Sequence, residues 1–239
     1  GKKNIKVISD RVVHRSQLDY YFKLSEDVHP EYAVKDFYKD FNIKPNKKTS
    51  MIVPAIKIDI NHDGFESYEV YNFTCKASEL LKFASVSRRT PVKEELSAYQ
   101  RLIDPARIGK IGEDFISEKQ GFFPNNIVMK LEKSKISFKN RSSLFNDEKL
   151  VGFENNIGIL SISEDYNTAW IIDGQHRLFS FFKANKDNKA INDVVNVAAI
   201  VGVPPEKEVE YFIDINDKSK PVPKDLIWDL TGKIDPSSK

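Results

Sequence analysis

The order of apolar and polar positions divides the chain into short elements of two kinds. "MIVPAIKIDI" (51–60) and "YEVYNFTCKA" (68–77) read as strands, and Asp63-Gly64 in the intervening "NHDG" predicts a hairpin. "SELLKFASVS" (78–87) predicts a helix with Ser78 as its cap. Leu96, Tyr99 and Leu102, and then Ile108, Ile111, Phe115 and Ile116, recur at helical spacing, so two helices precede an apolar strand at 127–131, with "GFFPNN" as the turn. "SKISFKNRSSLFNDEKLVGFENN" (134–156) predicts an irregular insertion, and "IGILSISEDYNTAWIID" (157–173) a hairpin around "SEDYN". "VVNVAAIVGV" (194–203) is a fully apolar strand. "PPEKEVEYFIDIN" (204–216) follows as a helix with Val209, Phe212 and Ile213 inward, and "LIWDL" as a last short helix.

Two stretches carry more than packing. Near the N-terminus, Tyr20, Tyr21, Phe22, Tyr32, Phe37, Tyr38 and Phe41 crowd among charges. An amphipathic segment packed on the main domain is the commoner use of such a pattern, and a base-stacking platform the rarer one. Residues 1–50 are read as an N-terminal extension, and 51–239 as the main domain. The second stretch is "TAWIIDGQHRLFSFFKAN" (168–185). Ala169 to Ile172 form a buried strand, and Leu178, Phe181, Phe182 and Ala184 form one face of a helix. The polar residues Asp173, Gly174, Gln175, His176 and Arg177 therefore occupy a strand-to-helix turn. Asp173 suits the helix N-cap and Gly174 permits close approach, so free backbone N–H groups, His176 and Arg177 converge where an anion would sit. A corner of this kind that binds nothing satisfies the same pattern.

Composition narrows the classes. The chain has 239 residues, 30% charged and 40% hydrophobic, which suits a soluble globular protein with a sizeable core. No apolar run approaches membrane-spanning length, and "GKKNIKVISDRVVHR" lacks the core of a signal peptide, so a cytoplasmic protein without membrane contact is expected. The absence of an initial Met suggests a processed or trimmed chain. Cys75 stands alone, which excludes an internal disulfide framework. Net charge is only +2, so a nucleic-acid surface has to be local; Arg88, Arg89, Lys93, Arg101, Arg107 and Lys110 fall within twenty-three positions and form a candidate basic stretch. The four histidines have no paired spacing, which argues against a metal site, and neither G-x-S-x-G nor a Walker A sequence occurs.

The five residues 173–177 spell DGQHR, and in this strand-helix context the chain resembles the DGQHR-domain family. That family includes DndB of bacterial DNA phosphorothioation systems and proteins of 7-deazaguanine DNA-modification clusters. It is similar in turn to the ParB/sulfiredoxin superfamily. "AYQRLIDPARIGKIGEDF", "FFPNNIVM" and "FIDINDKSKPVPKDL" extend the likeness over about positions 88–230. The chain departs from it at Phe179, where relatives often carry a small residue, so helix packing there is expected to differ. The resemblance implies an α+β fold, a ParB/sulfiredoxin-like mixed sheet with flanking helices. It implies a DNA-associated regulatory or accessory protein of a DNA-modification or phage-defence system, with DNA, a nucleotide and other proteins of that system as partners.

In that reading Gly174, Gln175 and His176 cradle a phosphate, Arg177 neutralises it, and Asn216 and Lys218 close the site. The last two equally suit a helix cap followed by a solvated lysine. Arg88, Arg89 and Arg101 are the DNA contacts, or else solvated helix ends. The alternative function is a nucleotide triphosphatase or nuclease with Asp173, His176 and Arg177 at its centre, acting on a nucleoside triphosphate with Mg or on DNA.

Overall fold

The computed structural model describes residues 15–41, 43, 49–61, 67–86, 103–118, 121–141, 156–165, 168–184, 193–204, 207, 210, 211 and 213–215. It opens with two helices, α1 (Arg15–Asp27) and α2 (Pro30–Asp40). An eight-stranded sheet follows, built from β1 (Ser50–Ile60), β2 (Tyr68–Lys76), β3 (Ala84–Val86), β4 (Ile127–Leu131), β5 (Ile136–Asn140), β6 (Ile157–Ser163), β7 (Ala169–Asp173) and β8 (Val194–Val201). Between strands lie α3 (Ala77–Leu81), α4 (Pro105–Lys110), which runs directly into a π-helix at Ile111–Glu118, and α5 (Gln175–Ser180). The fold is α+β.

Strand order is β3-β7-β4-β8-β2-β1-β6-β5. The β3/β7 and β4/β8 pairs are parallel and the other pairs antiparallel, so the sheet is mixed. Pro54 interrupts β1 without breaking it. The β1/β2 ladder begins only at Ala55, so the missing proline N–H falls where no β2 partner waits. One face of the sheet is the core: Met129, Ala199, Tyr71, Phe73, Val53 and Leu160 are all buried. The sheet curls around that face, for Phe138 on β5 reaches Tyr71 on β2 across two intervening strands, with ring centroids 5.5 Å apart. Gly158 makes room, since a Cβ there would stand 2.5 Å from the Phe138 ring.

Three expectations fail. The segment 78–87 is helical only at its start. Its Phe83, Ala84 and Val86 are buried, and residues 84–86 form β3, paired parallel to β7; the N-cap is Lys76, with the Glu79 carboxylate accepting from its N–H at 3.4 Å. The irregular insertion contains β5, where Ile136, Ser137, Phe138 and Lys139 alternate apolar and polar over only four positions. β6 and β7 do not form a hairpin: β6 pairs with β1 and β5, whereas β7 lies between β3 and β4. Longer ladders with distant strands outcompete the local turn.

The α1–α2 pair packs into the same core. The Tyr32 ring lies 4.6 Å from that of Phe179 on α5, and its hydroxyl accepts from Val86 N–H at 3.2 Å. Lys35, itself buried, donates to the carbonyls of Leu81 and Ala84 at 2.9 and 2.6 Å. His29 stacks on Phe182 with ring centroids 4.4 Å apart. Phe179 is thus part of the surface on which the N-terminal pair docks. On the opposite face of the sheet, Ile52, Ile56 and Ile58 of β1 remain exposed.

Candidate functional site at the end of β7

A β-bulge shapes the corner. Between β4 and β7 the register runs Val128↔Asp173 and then Met129↔Ile171, leaving Ile172 as the extra residue. Ile171 and Ile172 are consequently both buried, and Asp173 is turned toward the half-buried rim. The chain reverses at Gly174, with φ 94° and ψ 10°. Only glycine fits: a Cβ would stand 2.7 Å from Ile127 Cδ1 and 3.1 Å from a guanidinium nitrogen of Arg177, in a left-handed conformation that L side chains rarely adopt. Gly174, not Asp173, is the N-cap of α5. Asp173 has a different partner, and this corrects its assignment as the cap.

That partner is Arg177, one turn further on. Its Nη2 donates to Asp173 Oδ2 at 2.8 Å and its Nη1 to the carbonyl of Asn125 at 2.9 Å. The planar guanidinium clamps the strand end to the segment 121–126 that leads into β4. Read in the sequence as neutralising a phosphate, the guanidinium makes both of these bonds within the protein. His176 makes the second tie: the backbone N–H of Asp104 donates to its Nε2 at 3.2 Å. An imidazole accepting at Nε2 carries its proton on Nδ1. Asp104 in turn caps α4, its carboxylate accepting from the N–H groups of Ala106 and Arg107 at 3.0 and 3.2 Å. Gln175 points the other way. It is 4% exposed, and its Oε1 finds no hydrogen-bond partner. The first hydrogen bond within α5 runs from Leu178 N–H to the Gly174 carbonyl at 2.9 Å, so the N–H groups ahead of it face off the helix end.

Close packing holds α5 from behind. A Cβ on Gly112 of the π-helix would lie 2.6 Å from the carbonyl oxygen of Ser180, and Ser180 Oγ donates to the Arg177 carbonyl at 2.6 Å. π-Helical turns often mark functional regions, and this one sets backbone against backbone beneath the motif.

A family model named DndB and described as DNA-sulfur modification-associated matches residues 65–229, more than half of the chain. The chain belongs to the DndB family. The match contains the whole corner, from β2 through β7 and α5 to the helical residues near 215, and ties the protein to DNA sulfur modification. No curated protein and no solved structure matches the chain. Among the described residues, no helix is long and apolar enough to cross a membrane, and no group of three or more His, Cys, Asp or Glu side chains is placed to hold a metal.

Of the residues singled out in the sequence of this DndB-family chain, Asp173, Gly174, Gln175, His176 and Arg177 share the corner. Arg88, Arg89, Arg101, Asn216 and Lys218 lie outside the described residues. Asp104 and Asn125 were missed. Asp104 had a legible signal in "IDPAR", an Asp before a Pro that opens a helix. Asn125 contributes only its backbone carbonyl, which no residue type announces.

Proposed function

We propose that this protein is a DNA-associated regulatory or accessory component of a bacterial DNA-sulfur modification system, and that it takes DNA or nucleotide phosphate at the end of the sheet where β7 turns into α5. The reading includes the ParB/sulfiredoxin-like character of the corner, other proteins of the system as partners, and a cytoplasmic role in phage defence. The observation that carries it is topological. β3 runs parallel to β7 and ends at Val86, two residues before Arg88 and Arg89 in the chain. Ile103 and Asp104 follow Arg101 closely, and Asp104 is bonded to His176. Val86 and Asp104, the described residues on either side of the basic stretch, thus both lie toward the end of the sheet where α5 begins. Gln175 supports the same reading, since a buried carbonyl oxygen without a partner costs about 1–3 kcal/mol and a corner serving packing alone has no use for it.

In this account Arg177 and His176 position the segments that meet phosphate, Gly174 and the N–H groups of Gln175 and His176 offer the backbone cradle, and Arg88, Arg89 and Arg101 supply charge. Asn216 and Lys218 are assigned to closing the site. Titration of duplex DNA at two salt concentrations tests this. Binding should weaken as salt rises, and Arg88→Ala should reduce the slope of log affinity against log salt by about 1. No binding at low salt would overturn it. Phosphate release from a nucleoside triphosphate with Mg, or DNA nicking, abolished by Asp173→Asn would replace it with an enzymatic reading.

A further inference from the structure

The segment Gly121–Asn126 combines tight anchoring with a solvent-facing aromatic ring. Gly121 N–H donates to the Phe115 carbonyl at 2.8 Å, and a Cβ on Gly121 would stand 2.5 Å from the Phe115 ring. Phe123 packs inward on Phe115 and Phe181, with ring centroids 5.0 and 6.1 Å away. The Pro124 carbonyl accepts from the Asn196 side chain at 3.4 Å, and the Asn125 carbonyl from Arg177 at 2.9 Å. Three hydrogen bonds therefore hold the backbone, yet Phe122 is 68% exposed.

A single exposed apolar side chain is ordinary on a protein surface. Its setting here is not. The segment enters β4 at Ile127, against Gly174, at the same end of the sheet as the DGQHR turn, and its remaining exposed residues, Pro124, Asn125 and Asn126, carry no charge. α4, whose cap residue Asp104 is tied to His176, presents exposed Arg107 and Lys110. An exposed ring on an anchored backbone among uncharged amides offers a nucleobase a flat apolar surface, and Arg107 and Lys110 bring positive charge to the same end of the sheet although Glu113 and Glu118 are exposed on the π-helix.

We propose that Phe122 stacks on an unpaired base of bound DNA, so that the protein prefers DNA whose base stack is locally opened. In an intact duplex both faces of each base are covered by neighbours, so the ring finds a free face only where the stack is interrupted. The inference rests on the DNA-binding reading above. Binding titrations would use a fully paired duplex, the same duplex with a one-base bulge, and one with an abasic bulge. Phe122→Ala should weaken binding to the bulged duplex about tenfold and leave the abasic one unchanged, while Phe122→Trp restores wild-type affinity. The exposed position makes loss of folding an improbable complication, and equal thermal melts of the variants check this directly. Wild-type DNA binding unaffected by Phe122→Ala, or weakened equally on base and abasic bulges, would overturn the inference and leave the proposed function standing. A wild-type protein that binds none of the three DNAs at low salt would overturn both, and loss of a partner protein alone on Phe122→Ala would assign the ring to a protein surface.

Discussion

Two parts of this molecule are tied by a carboxylate and a cation one helical turn apart, and they use the pair to opposite ends. In the α1–α2 pair, Asp36 and Lys39 meet at 2.5 Å, with side chains 1% and 12% exposed, and Tyr20 donates to the other Asp36 oxygen at 2.7 Å. Burial, the largest single influence, would lower the Lys39 pKa, and Asp36 together with Tyr32 and Asp40 more than reverses that, so the ammonium is held above its ordinary value. Tyr21 next to it donates to Asp40 at 2.7 Å, and its phenol is pushed far up, first by burial and then by that carboxylate. At the DGQHR corner, Asp173 and Arg177 meet at 2.8 Å with side chains 33% and 19% exposed. There the other bonds run to the backbones of distant segments, at Asn125 and Asp104. The sealed pair fastens α1 to α2. The open pair sets the position of two surface segments and leaves a face beside them.

The largest effect expected from this contrast is at Asp36. Asp36→Ala removes the buried carboxylate to which the Lys39 ammonium and the Tyr20 hydroxyl bond and should cost about 3–5 kcal/mol of stability in chemical denaturation, with little effect on DNA affinity of the folded fraction. A loss under 1 kcal/mol would place the two pairs in the same class. Gly174→Ala comes next. A left-handed backbone and the contact with Ile127 should cost about 2 kcal/mol and weaken DNA binding as well, because the corner itself shifts.

Arg177→Lys sharpens the comparison further. Lysine keeps a charge for Asp173 but cannot also hold the Asn125 carbonyl in a planar fork, so melting should fall by the equivalent of about 1 kcal/mol, with or without DNA. Unchanged melting with a loss of DNA affinity would instead make Arg177 a direct phosphate ligand. The smallest effect concerns pH and His29. Burial lowers its pKa, Glu31 opposes the shift and Lys183 adds to it, while its Nδ1 accepts from Glu31 N–H at 3.3 Å. With the folded value below the unfolded one, the unfolded chain binds more protons as pH falls below about 6.5, so stability is fully present above that range and declines beneath it. His29→Asn retains a capping oxygen and should flatten this decline in melts across a pH series; an unaltered slope would exclude His29 as its source.

Much of the sheet was legible because its strands are long or strongly apolar: β1, β2, β4 and β8 follow alternation or continuous apolar runs. Local pattern misled where partners are remote. Nothing in "SISEDYN" says that β6 will pair with β1 along seven positions while β7 crosses to β4. The five motif residues were legible as a strand-to-helix turn. The inward engagement of Arg177 was not, because Asn125 takes part through its carbonyl and Asp173 turns toward it through a bulge that "AWIID" leaves unmarked.

In the proposed reading, DNA meets the end of the sheet that the DGQHR corner orders, and not α1 and α2. Amide hydrogen exchange of the whole chain, with and without saturating duplex DNA at low salt, tests it most directly. Slowed exchange is predicted for 103–110, 121–127 and 174–178, with α1 and α2 unchanged. Protection confined to α1 and α2, or to the exposed isoleucine face of β1, with the corner unaffected, would contradict it.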